Sequence, residues 1–142
     1  PERYSYDLLK DSGEFVVNLT TEKLKKATDW CGVRSGRDVD KWKEMHLTAG
    51  RASKLDYAPI IEECPVNIEC KVTEIKELGS HHMFLAKVVA VHVDEAYMDE
   101  KNRFDLNKAR PLVYSHGEYL GTGKKIGTFG YSVRKKKKSA KK

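Results

Sequence analysis

Two segments of the chain carry side chains whose chemistry suits an anionic ligand. Arg3 and Ser5 lie at the start of a predicted helix, where free backbone N–H groups point. The stretch from Arg34 to Asp38, followed by Lys41, offers positive charge and hydrogen-bond donors on flexible backbone. Two simpler interpretations stay open: Ser5 can be a plain helix N-cap, and the later stretch can be a solvated charged loop.

Other candidate motifs fail on spacing. His81 and His82 are adjacent, so on a strand their side chains point to opposite faces, and no carboxylate or cysteine lies at a matching ligand spacing. In the glycine-rich C-terminal segment, Lys125 stands where a phosphate-binding loop needs Ser or Thr, and Ile126 takes the third glycine position of a dinucleotide motif. The sequence therefore predicts no metal site and no nucleotide-binding loop of these types.

The first part of the chain is predicted to hold the short helices that position the basic groups. Gly13 stands where a helix end favours a left-handed residue, and the β-rich run Phe15-Val16-Val17 follows it. The predicted elements are a helix over 5–12 with Ser5 as N-cap, a strand over 14–19, a helix over 21–30, a loop over 32–38, a short helix capped by Asp38, and a weak edge strand over 47–54.

A long hairpin is predicted in the middle of the chain, with its bend near Gly79. Residues 66–73 alternate apolar and polar side chains, which predicts one buried face and one solvent face, with Asn67 and Glu69 on the latter. Residues 83–93 are apolar at nearly every position, which predicts burial on both faces.

A short final strand over 111–114 and a glycine-rich, turn-forming stretch over 117–130 complete the predicted elements. Several strands and a few short helices predict a mainly β protein, a barrel or sandwich with helical decoration.

Composition places most of the positive charge in a tail. The 142 residues carry a net charge of +6, but residues 134–142 hold seven Lys or Arg and no acid, which leaves 6 − 7 = −1 for the rest. We therefore expect one domain over 1–133 and a basic, disordered tail over 134–142. The tail could contact nucleic acid or acidic membranes, although a solvated terminus is the simpler interpretation.

The redox and membrane signals are weak. Three cysteines, without a C-x-x-C pair, do not form a disulfide scaffold. The longest apolar runs are too short to span a bilayer, and residues 1–7 do not resemble a signal peptide. We expect a cytoplasmic protein.

Read together, the ordered segments of the chain carry a family resemblance. No single one is specific, but their order is. They are Pro1-Glu2-Arg3-Tyr4-Ser5-Tyr6-Asp7, Ser12-Gly13-Glu14-Phe15-Val16-Val17-Asn18-Leu19, Cys31-Gly32-Val33-Arg34-Ser35-Gly36-Arg37-Asp38-Val39-Asp40-Lys41, Glu63-Cys64-Pro65-Val66-Asn67-Ile68-Glu69-Cys70, Gly79-Ser80-His81-His82-Met83-Phe84 and Pro111-Leu112-Val113-Tyr114-Ser115-His116-Gly117-Glu118-Tyr119. Up to Val133 the chain resembles the flavin reductase family, flavoredoxin-type members especially.

The resemblance implies a Greek-key, FMN-binding split β-barrel that forms a homodimer, with FMN near the subunit interface. It implies hydride transfer from NADH or NADPH to the flavin and onward transfer of electrons to a small-molecule or protein acceptor. No membrane partner is implied, and only the basic tail favours nucleic acid.

The resemblance also assigns site residues. Arg3 and Ser5 mark the phosphate end of the flavin site, and His81 matches the histidine of a Gly-x-His-x-x-Phe pattern, which places it near the nicotinamide or flavin as the catalytic candidate. Tyr114 falls in a segment whose tyrosines could stack on the isoalloxazine ring. The remaining predicted cofactor residues belong to one segment: Cys31, Ser35, Gly36, Arg37, Asp38 and Lys41.

The chain departs from the family pattern at its start. Members normally carry about one third more chain before the Pro-x-Arg segment, and that part supplies the first barrel strands. A fragment, a truncated gene product and a barrel completed by other chains are all consistent with this difference. It also motivates an alternative function, a non-catalytic split barrel that uses a degraded flavin site for binding or assembly.

Overall fold

The computed structural model describes residues 1–134, so that all of the predicted basic tail except Arg134 lies outside the described residues. The elements are helices α1 (Tyr4–Ser12), α2 (Lys25–Val33) and α3 (Lys41–Met45), and strands β1 (Glu14–Leu19), β2 (Ala49–Gly50), β3 (Ile60–Ile61), β4 (Val66–Glu77), β5 (His82–Val93), β6 (Leu112–Ser115) and β7 (Glu118–Gly121). Short 3-10 turns at Glu22–Leu24, Glu95–Tyr97 and Tyr131–Val133 complete the chain.

Helix α1 begins one residue earlier than the sequence predicts. Its N-cap is Arg3, whose backbone is extended and whose side chain caps no N–H group. The prediction of Ser5 as N-cap is therefore wrong, because Ser5 already lies inside the helix. The predicted end is confirmed: Gly13 is left-handed, with φ 65°, and its N–H donates to the Leu9 carbonyl.

Helix α3 is capped by Asp40 and not by Asp38. The Asp40 carboxylate accepts from the N–H groups of Trp42 (3.0 Å) and Lys43 (3.2 Å). Asp38 lies in a preceding turn, where its own N–H donates to the Ser35 carbonyl at 3.2 Å. Because two aspartates two residues apart give the same capping signal, the sequence pattern selected the wrong one.

Strands β1, β4 and β5 form a three-stranded antiparallel sheet in the order β1-β4-β5. The β4–β5 hairpin confirms the predicted bend: the Leu78 N–H donates to the His81 carbonyl at 3.0 Å, and Gly79 has φ 82°. The pairing carries β-bulges at Glu69/Cys70 and between Val72 and Glu74.

The face of β4 that was predicted to be exposed to solvent is buried at Asn67 and Glu69. Asn67 and Glu69 were expected to be wet, yet Glu69 is 0% exposed and Asn67 is 5% exposed. The irregular segment over 48–64 covers this face, and its backbone N–H groups bond to side chains of the sheet. Examples are Ile61 to Asn18 Oδ1 (3.0 Å) and Ser53 to Glu69 Oε1 (2.7 Å).

The opposite, apolar face of the sheet is partly open. Cross-strand register places Val17, Ile68 and Val91 in one row, and Val17 and Val91 are exposed. The prediction that residues 83–93 are buried on both faces is wrong for the single chain, because no residue of β5 is fully buried and Val88 and Val91 are more than half exposed.

Two small ribbons flank this sheet, β2–β3 and β6–β7. The weak strand predicted over 47–54 shrinks to the two residues of β2. Strand β7 was missed, since the glycines around it indicated only turns; it pairs with β6 across a turn in which His116 and Gly117 have φ 49° and 82°. Across residues 1–134, no helix combines the length and the apolar character that a membrane span requires.

Candidate ligand cleft

A cleft of about 1010 Å³ opens between the N-terminal end of α1 and the chain from the end of α2 into α3. That volume lies at the upper end of the range typical of small-molecule sites. Its lining combines four cations with hydroxyl groups, backbone amides and a few apolar side chains, and consists of Glu2, Arg3, Tyr4, Ser5, Leu8, Cys31, Gly32, Val33, Arg34, Ser35, Gly36, Arg37, Asp38, Val39, Asp40, Lys41 and Trp42.

Eight of the nine predicted cofactor residues line this cleft, although they come from two stretches of sequence that lie about 30 positions apart. Those eight are Arg3, Ser5, Cys31, Ser35, Gly36, Arg37, Asp38 and Lys41. The structure brings them together because α1 packs its first turn against residues 34–41. Tyr114 and His81 do not line the cleft.

A contact between α1 and the loop holds one wall of the cleft. Arg37 forms an ion pair with Asp7 (Nη2 to Oδ2, 2.8 Å), and its guanidinium lies 4.9 Å from the centre of the Tyr4 ring. Gly36 lies so near the same ring that a β-carbon there would be 3.2 Å from Tyr4 Cδ1. We call Tyr4, Asp7, Gly36 and Arg37 the clasp.

Ser35 organises the loop from inside. Its hydroxyl accepts from the Arg37 N–H at 3.1 Å, and its carbonyl accepts from the N–H groups of Asp38 (3.2 Å) and Val39 (3.3 Å). These bonds form a tight turn, so the loop that the sequence describes as flexible has a defined backbone path.

Lys41 and Cys31 form the base of the loop. The Lys41 ammonium donates to the Cys31 carbonyl at 2.6 Å, which ties the start of α3 to α2. Burial raises the pKa of the Cys31 thiol, and the Lys41 charge offsets this only in part. The thiol is therefore protonated near neutral pH and is a poor nucleophile.

The four cations of the cleft differ in whether a group of the protein already binds them. Arg37 is paired with Asp7, and Lys41 is bonded to a carbonyl. Among residues 1–134, neither Arg3 nor Arg34 has an ion-pair partner. These two guanidinium groups are the cations open to an anionic ligand.

The two histidines of the hairpin bend take different environments. His81 is exposed, with its Nδ1 3.0 Å from the Ser80 hydroxyl. His82 is half-buried, and its ring packs edge-on against the ring of Tyr6 in α1, with the ring centres 5.0 Å apart. Within the described part of the chain, no three His, Cys, Asp or Glu side chains gather as a potential metal site.

Tyr114 lies on the β6–β7 ribbon, away from the cleft lining. The residue is 65% exposed, and the centre of its ring lies 5.1 Å from that of Tyr119, its cross-strand partner. It presents an open aromatic surface, and its role in stacking on a flavin stays a prediction.

Sequence reasoning missed Tyr4 and Asp7. Two signals were available. Their spacing of three on α1 places both residues on one helix face, and the chain has a positively charged loop that such a face could contact. Spacing alone does not show that this face meets residues 36 and 37.

Comparison with known proteins gives the family. A family model for the flavin reductase like domain matches residues 1–123, and the chain belongs to that family. A protein of Archaeoglobus fulgidus is 35% identical over 120 residues, which cover 84% of this chain and 66% of that protein. The chain spans 43–66% of the length of the first curated relatives that it matches.

Solved structures agree with this assignment. Flavoredoxin of Desulfovibrio vulgaris (Miyazaki F) superposes with a TM-score of 0.85 at 25% identity, over 94% of this chain and 72% of that one. An FMN-binding protein from Thermus thermophilus, solved with bound 1-cyclohex-2-enone, superposes with a TM-score of 0.74 at 27% identity, over 90% and 68%. The fold is that of the FMN-binding split-barrel proteins, and the predicted fold class is confirmed.

Proposed function

We propose that the chain binds FMN in the cleft and acts as a flavin-dependent oxidoreductase, with NADH or NADPH as hydride donor. The observation that carries the proposal is the convergence of the eight predicted cofactor residues on one cleft. The similarity to the FMN-binding protein of Thermus thermophilus supports the choice of flavin.

The cleft has the chemistry that FMN requires at its phosphate end. A phosphomonoester carries about −1.5 to −2 charge near neutral pH and has strong acceptor oxygens. Arg3 and Arg34 supply cations without a partner among the described residues, and Ser5 supplies a hydroxyl group in the first turn of α1. We assign the phosphate to this end of the cleft, where the helix dipole adds to the attraction.

The rest of the cleft suits the larger part of the ligand. Leu8, Val39 and Trp42 provide apolar surface, and the Ser35 turn provides backbone polar groups. When bound, FMN supplies the redox chemistry by accepting a hydride from a reduced nicotinamide and releasing electrons to an acceptor. The chain's own residues bind and orient it.

His81 keeps the role that the family resemblance implies for it. Its exposed imidazole can donate a hydrogen bond to a nicotinamide carboxamide or to a flavin oxygen. Because it does not line the cleft of its own chain, we propose that a second copy in a homodimer brings the hairpin bend to the flavin.

Reconstitution with FMN tests the proposal directly. The purified chain is incubated with FMN, freed of unbound flavin, and examined for a protein-bound flavin spectrum and for FMN-dependent oxidation of NADH and NADPH. A protein that stays colourless after reconstitution would contradict flavin binding and favour the non-catalytic alternative.

The variant Arg3→Gln tests the phosphate assignment. A charge-assisted hydrogen bond is worth about 1.5–3 kcal/mol, so we expect FMN affinity to fall by roughly tenfold or more, with riboflavin affinity much less affected. Arg103→Gln is the matched control, because Arg103 is paired with Asp99 in a turn outside the cleft. Equal losses for FMN and riboflavin in Arg3→Gln would contradict the assignment.

A further inference from the structure

Arg37 lines the cleft, but its guanidinium already forms contacts with other residues of the protein. Its guanidinium is paired with Asp7 at 2.8 Å and lies against the Tyr4 ring at 4.9 Å. Both partners belong to α1, and Asp7 does not itself line the cleft. A ligand phosphate would have to compete with both contacts to recruit Arg37.

We propose that Arg37 positions the loop over 34–40 against α1 and does not bind the phosphate of the ligand, with Asp7 and Tyr4 as its positioning partners. This inference deepens the proposed function and rests on it. Arg37 thus sets the width of the cleft, and Arg3 and Arg34 select for a phosphate-bearing flavin.

Gly36 is the second point of support for this inference. A β-carbon at this position would lie 3.2 Å from Tyr4 Cδ1 and 3.5 Å from Tyr4 Cε1, a tighter contact than most packed side chains make. Because Gly36 has no side chain, the loop backbone comes close to the Tyr4 ring, and the guanidinium of Arg37 packs against the same ring. The clasp thus joins backbone approach, cation–π contact and ion pair at one place.

Flavin affinities separate the two roles of Arg37. The variants are Asp7→Asn, Arg37→Gln and the double variant, each titrated with FMN and with riboflavin, with Arg103→Gln as control. An exposed ion pair of this kind changes an equilibrium by about fivefold at most. We expect each single variant to weaken both flavins by a similar factor of about two to five, and the double variant to add little.

The opposite pattern would overturn the inference. If Arg37 binds the phosphate, Arg37→Gln lowers FMN affinity by about tenfold or more with little effect on riboflavin, and Asp7→Asn strengthens FMN binding by freeing the guanidinium. Additive effects of the two substitutions would likewise show that Arg37 does not act through Asp7.

A ligand-free measurement keeps the inference separate from the proposed function. Hydrogen–deuterium exchange of a peptide over 35–40 reports opening of the loop whether or not flavin binds. We expect faster exchange in Asp7→Asn, Arg37→Gln and Gly36→Ala than in the wild type. Gly123→Ala is the control, because a β-carbon at Gly123 meets no atom within 4 Å.

The two proposals fail in different ways. If the wild type binds neither FMN nor riboflavin while the exchange of the loop still depends on Asp7 and Arg37, the proposed function fails and the clasp stands. If flavin binds but loop exchange is unchanged in all three variants, the clasp is wrong and the proposed function stands.

Discussion

At the scale of single residues, Glu69 is a carboxylate placed where no solvent reaches it. Its oxygens accept from the N–H groups of Ser53 (2.7 Å) and Lys54 (2.8 Å), from the Ser53 hydroxyl (3.2 Å), and from the imidazole Nε2 of His92. Burial by itself raises the pKa of Glu69, but these hydrogen bonds outweigh it and lower the pKa to about 2. The charged form is therefore part of the fold.

The variant Glu69→Gln should lower the free energy of unfolding by about 2–4 kcal/mol at neutral pH, because its amide nitrogen would face either the Ser53 N–H or the Lys54 N–H, whichever orientation the amide takes. Because Gln has nearly the same size as Glu, the loss of stability reflects changed hydrogen bonding and charge and not a change of volume. Urea denaturation measures the effect. Glu100→Gln, at an exposed glutamate, is the matched control and should leave stability within about 0.5 kcal/mol of the wild type.

The lowered pKa of Glu69 also predicts how the stability of the fold changes with pH. Since the folded-state pKa of Glu69 is below its ordinary value of 4.5, its contribution is present above that value and is lost as the pH falls towards about 2. A shift of this size corresponds to roughly 3 kcal/mol. Between pH 5 and pH 2, Glu69→Gln should therefore lose less stability than the wild type; parallel curves would show that Glu69 is not the titrating group.

At the scale of elements, sequence periodicity located the strands of the main sheet but not what covers them. Strand β1 matches its predicted bounds, and β4 and β5 were found with the correct bend. The alternation in β4 correctly predicted one apolar and one polar face. It could not show that residues 48–64 cover the polar face, or that the backbone of this segment forms hydrogen bonds with Asn67 and Glu69. Polar side chains at those positions have the same pattern whether they meet water or backbone amides.

Which segments line the cleft was predictable to a similar degree and for a related reason. Family resemblance selected the segments that form the cleft, since their order in the chain carries the signal. The pairing of Asp7 with Arg37 was not predictable, because it joins residues 30 positions apart through tertiary packing. Local patterns such as capping and periodicity contain no information on that contact.

The ribbon β2–β3 depends on one small residue. Gly50 is buried, and a β-carbon there would lie 2.7 Å from Ile60 Cγ1 and 2.9 Å from Glu62 Cγ. Gly50→Ala should therefore lower the free energy of unfolding by about 1–3 kcal/mol, as overpacking does in a tight contact. Thermal unfolding measures it against Gly123→Ala, whose β-carbon meets nothing; equal melting temperatures for the two variants would contradict the contact.

At the scale of the whole molecule, the apolar face of the main sheet is partly exposed. The row Val17–Ile68–Val91 is continued by the row Phe15–Cys70–Val88, and the valines at positions 17, 88 and 91 are 42%, 54% and 55% exposed. Clustered apolar surface of this kind marks interaction sites in folded proteins. We propose that a second copy of the chain covers it, in keeping with the homodimer that the family resemblance implies.

The variant Val91→Lys tests that assembly. A lysine at the β5 end of the row would place an unpaired charge in the interface, and desolvating it opposes association, so we expect the variant to sediment as a single chain of 16.2 kDa while the wild type sediments at twice that mass. Leu106→Lys is the control, because Leu106 is comparably exposed, at 44%, but lies outside the two rows. A wild type that stays at 16.2 kDa across micromolar concentrations, or a Val91→Lys variant that stays dimeric, would show that this face is not where two copies meet.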